Sequence, residues 1–154
     1  MVTKTLKLIG GEATIKAASR ETEGAVAMLE FVAPPDAVSE PLHMHSREDE
    51  CLYVLEGSLQ VTLGDEERQV EAGGFIFLPR GEPHCWRNPG ADPARFLIVL
   101  VPGGGERYFM DVAAVLATGS SASLETVSPL MVNNGIRRAQ PAGPRVVSMH
   151  STVS

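Results

Sequence analysis

The sequence predicts an all-β fold, and three observations lead to that prediction. Between residues 24 and 101 the apolar residues fall into short runs, and several of these alternate with polar residues. Pro, Gly, Asp and Asn separate the runs. Gly64 and Asp65 interrupt SLQVTLGDEERQV at the point where a hairpin would turn. Several short antiparallel strands of this kind imply a barrel or a sandwich.

Each apolar run predicts one strand, and the connections differ in length. TLKLIG near the N-terminus predicts a strand ahead of the main group. PPDAVSEP at residues 34–41 predicts a longer connection without regular structure. The remaining strands are predicted, in chain order, at GAVAMLEFVA, CLYVLEG, SLQVTL, FIFLP and RFLIVLV.

Beyond the last predicted strand the pattern becomes helical. GGGERYFMDVAAVLATG fits a short helix that ends near Gly119. SLETVSPLMVNNG fits one or two helical turns ending near Gly135, and Pro129 after Ser128 leaves open whether this segment is one piece or two. We expect the tail from Arg138 onward to be mobile unless a partner chain fixes it.

Length and composition predict one domain over residues 1–154. A chain of 154 residues with 44% apolar content can bury one adequate core and is too short for two ordinary domains. The predicted barrel core covers about residues 24–101, and the helical segment and tail cover about residues 103–154.

The charge balance disfavours nucleic acid and membrane partners. Lys and Arg number 13 against 19 Asp and Glu, a formal charge of -6, and no basic run offers a surface for phosphates or anionic lipid. The first residues contain no apolar core of signal-peptide length, and no stretch is long enough for a spanning helix. We therefore expect a cytoplasmic protein whose partners are a small-molecule substrate and a second copy of the chain, as a homodimer.

Four residues form a candidate metal site. His43 and His45 are two apart on a predicted strand, so both imidazoles point to one face. Glu50 follows after a gap long enough for the chain to enter the next strand, and His84 comes from a separate segment. Three neutral imidazoles and one carboxylate suit one divalent transition metal ion per chain, namely iron, nickel, manganese, copper, cobalt or zinc. Calcium and magnesium prefer all-oxygen shells and are poor candidates.

The spacing of these residues resembles the first motif of the cupin superfamily. That motif has His, one residue, His, three or four residues, Glu, six residues and Gly, and His43, His45, Glu50 and Gly57 stand at those intervals. The motif often opens with Gly, with five residues between it and the first His, and this chain has Ala37 at that place. That position binds no metal, so the departure concerns a turn.

The second cupin motif is matched at every position. It runs Gly, five residues, Pro, one residue, Gly, two residues, His, three residues and Asn, as do Gly73, Pro79, Gly81, His84 and Asn88. The resemblance covers about residues 24–101 and implies a cupin-type double-stranded β-helix, a jelly-roll barrel, with short C-terminal helices.

Neighbouring residues are expected to have structural roles. Glu48 is predicted to lie solvated in a turn, and Asp49 to face away from Glu50. Cys51 and Cys85 each follow a proposed ligand, so their thiols are expected to be free and to point away from the metal. The larger side chains predicted for the core are Met28, Tyr53, Phe75, Phe77, Trp86 and Phe96.

Three functions remain open from the sequence. The first is a metal-dependent dioxygenase acting on a phenolic, flavonol-like or enolisable metabolite, resembling the quercetinase-like cupins, with Glu50 as ligand and catalytic base. The second is a redox-neutral polyketide cyclase or isomerase, in which the metal polarises a carbonyl and Glu50 moves protons. The third is a non-catalytic binding barrel. The order given is the order that the sequence favours.

Overall fold

Two antiparallel β-sheets packed face to face make up most of the structure, a computed structural model that describes residues 4–141. The six-stranded sheet contains β1 (Thr5–Leu8), β2 (Gly11–Ala17), β3 (Ala27–Ala33), β5 (Asp49–Glu56), β8 (Phe75–Leu78) and β10 (Ala94–Val101). The five-stranded sheet contains β4 (His43–His45), β6 (Ser58–Leu63), β7 (Glu66–Glu71), β9 (His84–Arg87) and β11 (Ile136–Arg138).

The chain crosses repeatedly between the sheets, which makes the fold a double-stranded β-helix. The strand orders are β1-β2-β3-β10-β5-β8 and β11-β4-β9-β6-β7, so β3, β4, β5 and β6 lie in alternate sheets. This confirms the predicted all-β jelly roll. The two-residue turn at Gly64 and Asp65 joins β6 to β7 as predicted, with Gly64 at φ 59°.

Alternation of side chains along the strands creates the core between the sheets. In β10 every second residue is buried, and β3 shows the same alternation. Three aromatic rings, those of Phe31, Trp86 and Phe96, lie with their centroids 5.1 to 5.3 Å apart at the centre. This apolar packing borders the site described below and keeps water from one side of it.

Three of the aromatic residues predicted for the core are on the outside instead. Tyr53 is 40% exposed, Phe75 60% and Phe77 46%. The prediction was wrong because β8 alternates: Ile76 and Leu78 occupy the inner face, so the two phenylalanines must face outward.

Asn88 of the second motif has a structural role. Its side-chain nitrogen donates toward the carbonyl oxygens of Ala33, Pro34 and Asp92, all within 3.1 Å, and its side-chain oxygen accepts from the amide of Gly90. The side chain is 1% exposed, so it ties the end of β3 to the connection between β9 and β10.

Two helices follow the barrel. α1 (Glu106–Ala117) ends near Gly119 as predicted. α2 (Leu124–Asn133) is longer than the one or two turns predicted and is continuous through Pro129, because Ser123 rather than Ser128 caps it by accepting a hydrogen bond from the Thr126 amide. The side chains that pack the helices together and onto the barrel are Tyr108, Val112, Val127, Met131 and Ile136.

Two strands were not predicted. β2 pairs with both β1 and β3, which extends the barrel sheet ahead of residue 24. β11 pairs with β4, so Arg138 belongs to a strand rather than to the predicted tail. The remainder of that tail, residues 142–154, lies outside the described residues. Neither helix within residues 4–141 has the length and apolar content needed to cross a membrane.

Candidate metal centre

Strand register brings the candidate ligands together. His43 and His45 occupy the inner face of β4, while Met44 between them is turned outward. β9 runs antiparallel to β4 with His84 directly opposite His43. Glu50 lies on β5 of the facing sheet and points inward, with its neighbour Cys51 on the outer side.

The four predicted residues converge. Ring nitrogens of the three histidines lie within 4.8 Å of one another. The Oε2 atom of Glu50 is 3.1 Å from Nε2 of His45 and 3.2 Å from Nε2 of His84. All four residues are buried, with at most 6% of their surface exposed. Three imidazoles therefore face one buried point, and the carboxylate of Glu50 adjoins two of them. That all four residues bind a metal ion stays a prediction.

Backbone carbonyls fix the orientation of two of the rings. Nδ1 of His43 lies 2.8 Å from the carbonyl oxygen of Pro41, and Nδ1 of His84 lies 3.1 Å from that of Glu82. A carbonyl oxygen only accepts, so in each ring Nδ1 carries the proton and donates it. The lone pair is then on Nε2, the tautomer that metal-binding histidines have when their other nitrogen is held in this way.

Glu48 has a place in the site that the sequence reading missed. It is 5% exposed, not solvated, and its Oε2 lies 3.5 Å from Nδ1 of His45. Neither atom has a closer polar partner among residues 4–141. The prediction failed because the length of the turn between β4 and β5 does not reveal which of its carboxylates folds inward. Glu48 therefore places a negative charge beside the outer nitrogen of His45, in a longer contact than those of the two carbonyls with the other rings.

The buried carboxylates and imidazoles of the cluster shift one another's pKa values. Burial alone would raise the pKa of the Glu50 carboxyl, but the neighbouring His45 and His84 hold that pKa well below its usual range. Burial likewise lowers the pKa of His45, yet Glu48 and Glu50 outweigh it and raise that pKa to about 10. Burial and the two neighbouring imidazoles lower the pKa of His43 to about 4. A buried carboxylate facing two imidazole nitrogens needs a proton or a metal ion between them.

The donor set fits a metal ion on these observations. Nε2 lone pairs of His45 and His84 would face the acceptor Oε2 of Glu50 unfavourably unless a positive charge lay between them. His45 can supply a proton, and a divalent ion would take its place. The three buried histidines can therefore hold a metal ion, and imidazole with carboxylate suits the transition metals named above.

A small, mostly apolar cavity adjoins the cluster. Its space for the centre of a water molecule is about 20 Å³, enough for about one water. Tyr108 and Phe109 of α1 form part of its wall, as expected for helices that partly close the barrel. Glu40 also contributes a carboxylate, and neither Glu40 nor Tyr108 was predicted as a site residue. The other lining residues are Leu8, Ile9, Phe31, Trp86, Ile98 and Ile136.

Comparison with known proteins gives the family. The family model described as "Cupin domain" matches residues 29–100, which contain both motifs and all four converging residues. The fold is also that of a cupin from Shewanella frigidimarina, at 18% identity and a TM-score of 0.59 over 68% of this chain and 88% of that one. Residues 29–100 therefore form a domain of the cupin superfamily.

Two relatives carry polyketide names. The chain is 37% identical over 81 residues to the tetracenomycin polyketide synthase protein TcmJ of Streptomyces glaucescens, a match that covers 53% of this chain and 52% of TcmJ. The solved structure of the polyketide cyclase RemF from Streptomyces resistomycificus is 26% identical with a TM-score of 0.56, over 64% of this chain and 73% of RemF.

A shorter match joins the chain to a dioxygenase. Quercetin 2,3-dioxygenase of Bacillus subtilis is 38% identical over 47 residues, or 30% of this chain and 14% of that protein. The chain thus spans about half the length of TcmJ and a small part of the dioxygenase. These similarities support the superfamily and leave the reaction to be proposed.

We predict that His43→Ala, His45→Ala and His84→Ala each lower metal occupancy well below one ion per chain while the barrel stays folded. Each substitution removes one imidazole, whereas the apolar core between the sheets is untouched. Elemental analysis of untagged protein, with circular dichroism on the same samples, measures both quantities. Full occupancy in all three variants would contradict the site.

Glu48→Gln tests whether Glu48 orients the metal-binding His45. Loss of a group that orients a metal-binding histidine typically weakens metal affinity about 10- to 100-fold. We expect a loss of that order, measured by competition with a chromophoric chelator. Glu71→Gln, an exposed carboxylate on β7, is the matched control and should bind metal as the wild type does.

Proposed function

We propose that the protein is a metal-dependent enzyme that cyclises or isomerises an enolisable, polyketide-like carbonyl compound without consuming oxygen. The observation that carries this proposal is the buried carboxylate of Glu50 beside three imidazoles whose Nε2 atoms are free to bind a metal. The similarity to TcmJ and RemF is broader than that to the dioxygenase and supports a redox-neutral reaction. This order reverses the one that the sequence alone favoured.

His43, His45, Glu50 and His84 would hold the ion. A bound divalent ion polarises a carbonyl and increases the acidity of the neighbouring C–H or of an enol hydroxyl. Imidazoles fixed through Nδ1 give the substrate carbonyl a constant position. The apolar walls formed by Phe31, Trp86 and Ile98 exclude water from that position.

Glu50 is the group proposed to move the proton. When the imidazoles bind the metal ion through Nε2, they cannot accept a proton there. The Glu50 carboxylate lies within 3.2 Å of two of these rings and can accept one. In a cyclisation, Glu50 takes the proton from a carbon next to a carbonyl. That carbon then bonds to a second carbonyl carbon of the same molecule, whose oxygen takes the proton back from Glu50 and becomes a hydroxyl. Loss of this hydroxyl together with the second hydrogen of the attacking carbon forms a C=C bond and releases water.

Oxygenation of a phenolic or enolisable substrate is the second candidate. The match to the Bacillus subtilis quercetin dioxygenase favours it, and the same donor set suits redox-active ions. In that reaction Glu50 would again remove a hydroxyl or enol proton, and both atoms of dioxygen would enter the product. The two candidates therefore differ in oxygen consumption and in product mass.

The test is product analysis in air and under argon. Metal-loaded protein is incubated with a linear poly-β-ketone made in situ by a minimal polyketide synthase. We expect the same cyclised product in both atmospheres, lighter than the precursor by one or more waters and distinct from the spontaneous products formed with His84→Ala protein. A product heavier by one dioxygen and formed only in air would establish the second candidate. Products identical to those of the His84→Ala control would contradict both candidates.

Glu50→Gln tests the base. The amide keeps the shape but cannot accept the proton, so turnover per bound metal ion is expected to fall by about 10²- to 10⁴-fold. Glu56→Gln on the same strand alters an exposed carboxylate and serves as the control. Metal content is measured on each sample and excess metal is added to restore occupancy. Normal turnover per ion in Glu50→Gln would reject the base and leave Glu50 as a ligand.

We also propose that the protein is a homodimer. The outer face of β5 and β8 exposes Tyr53, Phe75 and Phe77, with Tyr53 opposite Phe75 and Cys51 opposite Phe77 in register. Both cysteines of the chain are free there and on β9. β8 is also an edge of its sheet, so a second copy can cover an apolar face and an unpaired strand together.

Light scattering at micromolar concentration tests the dimer. We expect the wild-type mass to be that of two chains and the double variant Phe75→Ser, Phe77→Ser to give one chain. Val132→Ser removes another apolar side chain, 70% exposed on α2, and should remain dimeric. A wild-type protein of monomer mass would overturn the proposal.

A further inference from the structure

The metal cavity contains a second polar group besides the ligand cluster. Glu40 lies in the connection before β4, and Tyr108 lies in the first turn of α1. The Tyr108 hydroxyl donates to Oε1 of Glu40 at 2.8 Å, and both residues line the cavity beside the histidines. The contact joins the helix to the barrel at the mouth of the site.

The two residues of the pair differ in exposure. Tyr108 is 3% exposed and Glu40 is half-buried. Burial raises the pKa of the Glu40 carboxyl, and the nearby charge of Glu50 raises it further. Burial also raises the pKa of the Tyr108 phenol, so the phenol keeps its proton and remains the donor. Burying a carboxylate costs free energy unless hydrogen bonds compensate, so Glu40 is expected to have hydrogen-bond partners.

One of the two carboxylate oxygens remains available. Oε1 of Glu40 accepts from Tyr108, while Oε2 accepts no side-chain hydrogen bond from any residue between 4 and 141. An ionised carboxylate offers about four acceptor sites. Tyr108 therefore fixes the orientation of the group, and together with a backbone hydrogen bond within Glu40 itself it still leaves carboxylate acceptor sites open.

Glu40 also stands between two spaces. Together with Trp86 it lines the metal cavity and a neighbouring open groove of about 250 Å³. The metal cavity itself has room for about one water, so an organic molecule enters only if a wall side chain such as Phe109 moves aside while Tyr108 stays in contact with Glu40.

We propose that Glu40, positioned by Tyr108, is a second recognition group for the substrate. One substrate oxygen lies at the metal ligands, and a second, an enol or phenol hydroxyl, donates to Oε2 of Glu40. The substrate class is then a compound with two oxygen functions spaced so that they do not chelate a single ion, as in a 1,3-dihydroxy ring. This inference rests on the proposed function, because it assumes that the metal site binds an oxygen of the substrate.

Binding of two simple probes tests the proposal without turnover. Zinc-loaded protein is titrated calorimetrically with resorcinol, whose two hydroxyls cannot both reach one ion, and with phenol, which has one hydroxyl. A hydrogen bond to a carboxylate predicts that the wild type prefers resorcinol by about tenfold. Equal affinities in the wild type would overturn the proposal, as would the absence of resorcinol binding.

Variants assign the preference to the pair. In Glu40→Gln the amide carbonyl can still accept from Tyr108, but the neutral NH₂ group faces the ligand, so the hydrogen bond to a charged acceptor is lost and the preference should fall well below that of the wild type. Tyr108→Phe keeps the ring and should reduce the preference while phenol affinity stays unchanged. Phe109→Leu changes an apolar wall residue and should alter both affinities without altering their ratio.

The remaining outcomes are also decisive. An unchanged ratio in Glu40→Gln would overturn the role of Glu40, and loss of zinc in that variant would show that Glu40 serves the metal site instead. Failure of the proposed reaction is seen separately, because product analysis reports turnover whereas the affinity ratio does not depend on it.

Discussion

The contact between Glu50 and the imidazoles of His45 and His84 is the interaction on which the rest of the site depends. Its carboxylate oxygen is 3.1 and 3.2 Å from two nitrogens inside a buried cavity. Without a metal ion, this desolvated carboxylate depends on a proton at one of the two nitrogens, because an unpaired buried charge costs far more than a surface ion pair gains. The fold therefore brings together a set of groups that favours a proton or a metal ion between them.

The surrounding chain acts to keep that arrangement fixed. Pairing of β4 with β9 sets His43 opposite His84, and the facing sheet supplies Glu50. Two carbonyls and the carboxylate of Glu48 occupy the outer nitrogens of the rings. The three imidazoles thus have little freedom to turn away, which is the condition for a metal to bind without reordering the barrel.

Period-two alternation made the metal ligands and much of the fold predictable from the sequence. It placed His43 and His45 on one face, and it turned Met44, Cys51 and Cys85 away from it. In FIFL the same rule allows either the two phenylalanines or Ile76 and Leu78 to face the core. The larger aromatic rings suggested the first arrangement, so Phe75 and Phe77 were wrongly assigned to the core. Glu48, Glu40 and Tyr108 depend on loop conformation and on how a helix docks, and neither has a periodic signal. β11 escaped prediction because its three residues pair with β4 only in the folded barrel.

The central claim, a mononuclear ion held by three imidazoles and Glu50, is tested most directly by X-ray absorption spectroscopy of zinc-loaded protein. The account predicts one ion per chain with scattering from three imidazoles at about 2.0–2.1 Å and an oxygen ligand from a carboxylate at about 2.0–2.2 Å. In Glu50→Gln the three imidazoles should persist while the oxygen contribution changes. A spectrum with fewer than three imidazoles in the wild type, or one dominated by water oxygens, would contradict it.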